Sequence, residues 1–242
     1  MKTVLTVIIF SLLSFLSVGV SAQSNTEVST MLWKGVGGKT KWDSTNYILF
    51  TAYGNDAKHL QGDRKYLINK RSGQARFEGK TEDGNNIVAL FNFKTDKLTK
   101  FFTNGGEVKP LNADVIAIFA KIKEQFRKDA ALIFLPTLID KPDTKTGKVS
   151  SKIVNAEKLQ SLPFQLKDSI LSGELFFHGE TGYIKQVVDR DGNTYFVNGY
   201  KDIGGGLILP TTFKNMDNQA RSTLFTTVAA FTDMEESKFS NL

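Results

Sequence analysis

The chain of 242 residues contains no cysteine, and this absence restricts both its fold and its chemistry. Without thiols it has no disulfide framework, no thiolate metal site and no thiol nucleophile. The chain is long enough to bury a core without such cross-links, because the fraction of surface buried on folding rises with size. Stability must therefore come from ordinary packing.

Histidine is nearly as scarce, since the chain has only His59 and His178. A Ser-His-Asp site needs a histidine beside a nucleophile, commonly held on a sharp strand-to-helix turn. His59 lies in a polar segment and His178 ends a strand-like run, with no such turn near either. We interpret both as surface or hydrogen-bonded side chains. No catalytic residue, metal site or cofactor is predicted, and an enzyme is not expected.

Two short motifs imitate ligand-binding loops but lack residues that those loops need. Residues 38–40 read Gly-Lys-Thr, yet a phosphate-binding loop also needs glycine at the position of Trp33. Residues 189–193 begin like a calcium loop, but Tyr200 stands where the bidentate glutamate belongs. The first motif also follows a predicted short helix, where a phosphate-binding loop should follow a strand, and we interpret the second as a hairpin turn.

Residues 1–22 have the three-part pattern of a secretory signal. Lys2 precedes an apolar run, and the segment ends in small residues, with Ala22 before Gln23. Serines interrupt the run, which disfavours a transmembrane anchor. We expect cleavage after Ala22 and a free protein, because a lipid anchor would need cysteine. Export without disulfides favours the bacterial periplasm, with secretion as the alternative.

The formal net charge of +6 indicates no particular partner. Charges of both signs are interspersed, and the densest basic cluster lies within residues 121–128. A basic surface can bind nucleic acid, but a solvated helix face has the same appearance. Nucleic acid is not an expected partner.

Hydrophobic periodicity divides residues 23–242 into a meander, a helical insert and a second set of strands, which we predict to form one domain. A short helix is expected before Gly38. The predicted strands are 47–53, 65–69, 74–80, 86–93 and 98–103, then 148–154, 164–171, 174–178, 183–190, 194–200, 207–214 and 224–231. The insert covers about 112–139, with an amphipathic helix at 112–128. This order predicts an α+β fold, a large curved antiparallel sheet with helices on its concave side.

Phenylalanine is abundant, with 19 residues against two tryptophans and six tyrosines. Most of these rings must fill an ordinary core. A curved sheet covered by helices can also leave an apolar cleft that holds a ligand. The side chains predicted to line such a cavity are Phe77, Phe91, Phe119, Ile122 and Phe126.

Several segments resemble the LolA-like superfamily of periplasmic lipoprotein-sorting and lipid-binding proteins, and in particular an uncharacterised family of secreted bacterial proteins with that fold. They are Asp63-Arg64-Lys65-Tyr66-Leu67, Arg76-Phe77-Glu78, Val88-Ala89-Leu90-Phe91-Asn92, Leu135-Pro136-Thr137-Leu138-Ile139-Asp140 and the stretch from Tyr200 to Thr211. The resemblance implies a half-barrel whose concave face is roofed by helices and binds acyl chains. No single arginine matches the residue that locks the lid of the sorting protein.

Two functional hypotheses follow. The first, implied by the resemblance, is a monomeric, non-enzymatic carrier for a lipid or lipoprotein acyl chain, with transient membrane contact as a further expectation. The second is a secreted protein-interaction module whose aromatic side chains all belong to a filled core.

Overall fold

The computed structural model of the protein describes residues 25–242. The predicted secretory signal, residues 1–22, lies outside the described residues. Within 25–242, no helix combines the length and the apolar character that a membrane crossing requires.

Strands dominate the chain, and helices occur at the start and in the middle. The helices are α1 Asn25–Gly35, α2 Lys39–Ser44, α3 Ala113–Ile133 and α4 Leu135–Leu138. The strands before α3 are β1 Tyr47–Gly54, β2 Leu60–Asn69, β3 Gln74–Thr81, β4 Asn86–Asn92, β5 Lys97–Thr103 and β6 Gly106–Glu107. Those after α4 are β7 Lys145–Thr146, β8 Ser150–Val154, β9 Glu157–Gln165, β10 Ser172–Phe177, β11 Ile184–Asp189, β12 Thr194–Asn198, β13 Lys201–Asp202, β14 Ile208–Leu209, β15 Thr212–Asn215 and β16 Thr223–Phe231.

One 14-stranded sheet contains all of these strands except the β13–β14 pair. Its order is β6-β5-β4-β3-β2-β1-β16-β15-β12-β11-β10-β9-β7, and β8 also pairs with β9. The last strand, β16, pairs with β1 and so joins the first half of the sheet, β1–β6, to the second half, β7–β16. The sheet does not close on itself. The predicted α+β class is confirmed.

The strand predictions are accurate in the first half and less so in the second. The predicted strand 164–171 is wrong, because β9 ends at Gln165 and a 3₁₀ turn, Lys167–Ser169, follows. The predicted strand 207–214 is two short strands interrupted at Pro210, which has no N–H to donate to a ladder. The helix α2 was not predicted.

The first half of the sheet builds an aromatic row from cross-strand partners. Phe50 on β1 faces Tyr66 on β2, which faces Phe77 on β3. Phe77 in turn faces Ala89 on β4, and Ala89 faces Phe101 on β5. All five side chains are fully buried. Because alternate residues of a strand point to opposite faces, this row defines an inner face of the sheet, and its sequence neighbours define an outer face.

Helix α3 lies on the inner face of the first half. Asn112 caps its first turn by accepting a hydrogen bond from the N–H of Val115 at 3.0 Å. The buried residues of α3 recur at helical spacing, as the amphipathic pattern predicts. The helix extends to Ile133, beyond the predicted 128, because the apolar turn after Asp129 continues it, as expected for a buried turn.

Helix α1 is attached through its backbone to the turn between β10 and β11. Gly182 has a φ of +75°, and a Cβ atom there would lie 1.8 Å from the carbonyl oxygen of Met31. A Cβ at Gly35 would lie 2.5 Å from the carbonyl oxygen of Gly182. Only glycine at both positions lets the two backbones approach this closely. Val28 and Leu32 of α1 are buried in the same core as the inner face.

Candidate functional site

The five predicted cavity residues lie together between α3 and the sheet. Phe119, Ile122 and Phe126 share one face of the helix, while Phe77 and Phe91 point towards it from β3 and β4. Ring centroids are 5.4 Å apart for Phe91 and Phe119, and 5.6 Å apart for Phe91 and Phe126. All five side chains are at least nine-tenths buried. Their role in holding a ligand stays a prediction.

Further aromatic side chains complete this layer. The ring of Phe126 lies 6.4 Å from that of Phe50, 5.3 Å from Tyr66 and 5.7 Å from Phe93. Such pairs contribute about 0.5–1.5 kcal/mol each beyond the area that they bury. We define the aromatic layer as Phe50, Tyr66, Phe77, Phe91, Phe93, Phe119, Ile122 and Phe126. Phe126 is therefore the centre of the contact between α3 and the sheet.

An ion pair lies inside this mostly apolar contact. Nε of Arg64 on β2 donates to Oδ2 of Asp129 on α3 at 2.9 Å, and its Nη2 donates to Oδ1 at 3.2 Å. The two side chains are 1% and 0% exposed. Nη2 of Arg64 also donates to the carbonyl oxygen of Gly54 at 3.0 Å. The pair therefore joins the helix to the sheet in a bidentate geometry that favours recognition of a carboxylate.

Three neutral side chains complete the shell around the Asp129 carboxylate. Tyr66 Oη donates to Oδ2 at 3.1 Å, Asn55 Nδ2 to Oδ1 at 2.7 Å and Gln125 Nε2 to Oδ1 at 3.0 Å. With the two bonds from Arg64, the carboxylate accepts five hydrogen bonds. We call Asn55, Arg64, Tyr66, Gln125 and Asp129 the buried polar cluster. A charge is tolerated in a protein core when hydrogen bonds and an opposite charge compensate for the loss of water.

Electrostatics fixes the protonation of two members of the cluster. Burial acts to lower the pKa of Arg64, but the charge and hydrogen bonds of Asp129 outweigh it, so the pKa is raised. Burial, reinforced by the negative charge of Asp129, raises the pKa of Tyr66 well above its usual value. Arg64 is therefore a permanent cation, and the Tyr66 phenol remains a hydrogen-bond donor at neutral pH.

A small cleft opens at the surface beside the cluster. It has a volume of about 210 Å³ and lies between the β1–β2 connection, including Asp56 and His59, and the helix residues Lys121 and Gln125. Gln125 lines this cleft and also donates to Asp129. The side chain of Gln125 thus lies between the Asp129 carboxylate and the surface cleft.

Neither the histidines nor the two loop-like motifs donate a hydrogen bond to Asp129, although His59 lines the cleft beside the polar cluster. Nδ1 of His59 lies 3.5 Å from Glu82 Oε2 at the surface, and His178 follows β10. Lys39 begins α2 and pairs with Asp140 at 3.2 Å. Residues 189–193 form the predicted turn between β11 and β12. In the described part of the chain, no three histidine or acidic side chains are grouped to hold a metal ion.

Sequence reasoning found the rings of α3 but missed the polar cluster. Arg64 lies in the charged run Asp63-Arg64-Lys65, which is typical of an exposed strand. The signal that could have revealed the burial of Arg64 is the alternation of the two faces along β2. Arg64, Tyr66 and Ile68 are two residues apart and all fall on the inner face. An aspartate on the buried face of an amphipathic helix was the matching signal on α3.

No protein-family model matches the chain, and no curated protein matches it either. A solved structure similar to it is described as a "putative outer membrane lipoprotein-sorting protein domain" from Vibrio parahaemolyticus. The match covers 83% of this chain and 93% of that chain, with 12% sequence identity and a TM-score of 0.35. At these values the likeness assigns no residue a role.

Proposed function

We propose that this chain is a non-enzymatic periplasmic binding protein for the acyl chain of a lipid or lipoprotein, and that the acyl chain is held between α3 and the sheet. The observation that carries the proposal is the composition of this contact. Aromatic side chains line both surfaces, and the buried Arg64–Asp129 pair connects them, together with the hydrogen bonds that Asn55 and Tyr66 donate to Asp129. An acyl chain is apolar, so it would replace the side chains of one surface in their contact with the other.

Apolar burial supplies enough affinity for this exchange without a charged anchor. Each methylene moved out of water contributes about 0.8 kcal/mol. A chain of more than ten methylenes can therefore offset the loss of several ring contacts, each of which contributes about 0.5–1.5 kcal/mol beyond its area. The ligand would take the place of Phe119 and Phe126 against Phe91 and the rest of the inner face.

The Arg64–Asp129 pair lowers the free-energy cost of moving α3 away from the sheet. Desolvating two charges is costly, and replacing a buried pair with apolar side chains is often neutral or stabilising by about 1–4 kcal/mol. When α3 moves away from the sheet, Arg64 and Asp129 regain water, which offsets part of the lost apolar burial. A purely apolar contact of the same size would have no such compensation.

Titration with a dansylated undecanoic acid tests the proposal. We expect saturable binding with blue-shifted emission in the wild type. The triple variant Arg64→Met/Tyr66→Phe/Asp129→Leu removes both charges and the buried phenol that donates to Asp129, so it keeps α3 closed by apolar contact and should bind at least about tenfold more weakly. The variant Leu224→Ser removes an exposed apolar side chain from the outer face and should bind like the wild type. Native mass spectrometry of protein purified from its own periplasm should show bound lipid.

Absence of both probe uptake and co-purified lipid would contradict the carrier proposal. It would favour the second candidate, a secreted protein-interaction module. One observation favours that candidate specifically: the rings of the aromatic layer already contact one another, with Tyr66 and Phe77 centroids 5.3 Å apart. In this case the layer is a filled core and α3 is a fixed part of the fold.

A further inference from the structure

The hairpin formed by β8 and β9 projects beyond its neighbouring strand. Strand β10 pairs with β9 only as far as Gln160, and residues 153–158 lie past that point and pair only with each other. Within residues 25–242, β8 has β9 as its one strand partner. Five of the six residues 153–158 are exposed, and Val154 is partly exposed. The end of this hairpin is therefore open to solvent from several sides.

The end of the hairpin carries apolar side chains. Ile153 is 80% exposed, the largest exposed fraction among the large apolar side chains of residues 25–242. The turn consists of Asn155 and Ala156, whose φ angles are +51° and +63°. Glycine is favoured at the second position of such a turn, because a Cβ atom is unfavourable in this backbone conformation. The chain has alanine there and so keeps a methyl group at the turn. We call Ile153, Val154 and Ala156 the apolar tip.

Cations flank the apolar tip. Residues 145–158 contain four exposed lysines, namely Lys145, Lys148, Lys152 and Lys158. Against them stands one acidic residue, Glu157, so the formal charge of this segment is +3. Glu157 Oε2 lies 3.7 Å from Nζ of Lys185 on β11, and Lys152 Nζ donates to Glu174 at 2.6 Å. The tip is thus a small apolar surface inside a basic one.

The size of the apolar tip favours a membrane surface over a protein as its partner. Stable protein interfaces bury about 800 Å² on each partner and use about 20–30 residues of each. Three side chains at the end of a hairpin provide much less than this. Attachment to a bilayer needs no complementary shape, because its strength is the sum of the apolar area inserted and the attraction of cations to anionic headgroups. An apolar tip flanked by lysines supplies both contributions.

We propose that the β8–β9 hairpin docks the protein on the surface of a membrane that contains anionic phospholipids. Ile153 and Ala156 would enter the boundary between headgroups and acyl chains, while Lys148 and Lys158 would contact the phosphate groups. The docking needs no acyl ligand inside the protein. It rests on the proposed carrier function only for its purpose, which is to bring the chain to a membrane that supplies or receives a lipid.

A fluorophore at the hairpin tests the proposal, because the chain contains no native cysteine that would also be labelled. Nitrobenzoxadiazole attached to the variant Ile153→Cys should become at least about threefold brighter with vesicles of phosphatidylcholine and phosphatidylglycerol. Vesicles of phosphatidylcholine alone should bind at least about tenfold more weakly, and added salt should weaken binding to the anionic vesicles. The same fluorophore at Met216→Cys, a 53% exposed site after β15, should not change.

Vesicle sedimentation of unlabelled protein provides the second measurement. Ile153→Ser should lower the affinity for the anionic vesicles at least about tenfold, and the double variant Lys148→Gln/Lys158→Gln should do the same. Leu224→Ser, which removes an exposed apolar side chain from β16, should bind the vesicles like the wild type.

Three results would overturn the proposal: no binding of the wild type to anionic vesicles, equal affinities of Ile153→Ser and the wild type, or equal fluorescence changes at positions 153 and 216. A dimer in analytical ultracentrifugation that Ile153→Ser abolishes would also overturn it, because a second copy of the chain would then cover the hairpin. Vesicle binding without uptake of dansylated undecanoic acid would contradict the carrier proposal alone.

Discussion

The two longest helices of residues 25–242, α1 and α3, are attached to the two halves of the sheet in different ways. Helix α3 contacts the first half through side chains: the aromatic layer, the Arg64–Asp129 pair, and the pairs of Lys123 and Arg127 with Asp96. Helix α1 also buries Val28 and Leu32, and in addition its backbone contacts the second half at Met31, Gly35 and Gly182. A ligand can replace side-chain contacts with its own. Two backbones that approach as closely as only glycine permits leave no space for a ligand between them.

This difference assigns different roles to the two helices. Burial alone does not distinguish them, because Leu32 of α1 and Ile122 of α3 are both fully buried. The two helices differ in the groups that become exposed to water when each one separates from the sheet. Water can solvate Arg64 and Asp129, whereas the α1 contact is a close approach of backbone at Met31, Gly35 and Gly182. We therefore infer that α1 is the fixed helix and α3 the separable one.

The largest effect is expected at the contact of α1. A methyl group at Gly182 would collide with the Met31 carbonyl, so Gly182→Ala should displace α1 and lower the free energy of unfolding by about 5 kcal/mol. Urea unfolding followed by circular dichroism measures this change. Gly192→Ala is the matched control, because Gly192 has a similar φ of +84° with nothing near its Cβ position. It should cost only about 1 kcal/mol.

The next effect concerns the attachment of α3. Asp129→Asn leaves Arg64 as an uncompensated buried charge, and we expect a loss of about 3 kcal/mol in the free energy of unfolding. The triple variant Arg64→Met/Tyr66→Phe/Asp129→Leu removes both charges together with the buried phenol that donates to Asp129, whereas Gln125 lines a surface cleft and Asn55 is only partly buried. It should lie within about 1 kcal/mol of the wild type or above it. A triple variant as unstable as Asp129→Asn would show that the pair itself stabilises the fold.

A smaller effect depends on pH and on Tyr66. Its pKa is raised in the folded state, so above about pH 10 the unfolded chain loses this proton first and binds fewer protons than the folded chain. Stability should therefore fall as pH rises through this range. Tyr66→Phe should cost about 1 kcal/mol at pH 7 and remove this part of the fall. Tyr53→Phe, at an exposed site, is the matched loss of a phenol hydroxyl and should cost less than about 0.5 kcal/mol at pH 7.

The smallest effect is expected on the solvent side of α3. Ile116 is 49% exposed and points away from the aromatic layer. Ile116→Ala should change the free energy of unfolding by less than about 0.5 kcal/mol. A larger loss, measured in the same urea experiments, would mean that this side of α3 is also covered and that the helix is held from both sides.

Sequence reasoning succeeded where periodicity was strong. The strands of the first half and the helix α3 follow from alternation and from helical spacing, and so does the convergence of Phe91, Phe119 and Phe126. It failed at β9, where Pro163 interrupts the pattern of a strand. Pro163 nevertheless lies within β9, opposite Glu174 of β10, and its carbonyl oxygen accepts the Gly147 N–H.

The ion pair could not be predicted because its two members are separated by 65 positions in the sequence. The run around Arg64 is as charged as an exposed strand, and Asp129 follows a basic helix face. Only the register of the sheet and the position of α3 bring the two side chains together. The close contact of Gly182 with Met31 is similarly a property of the assembled backbone.

Thiol labelling tests the separability of α3 most directly, because the chain contains no native cysteine. Ile122→Cys and Leu32→Cys place one thiol in the middle of each helix at a fully buried site. Under native conditions we expect the Ile122→Cys variant to be labelled at least about tenfold faster, and dansylated undecanoic acid to change only its rate. Equal rates that follow global unfolding in both variants would contradict the account.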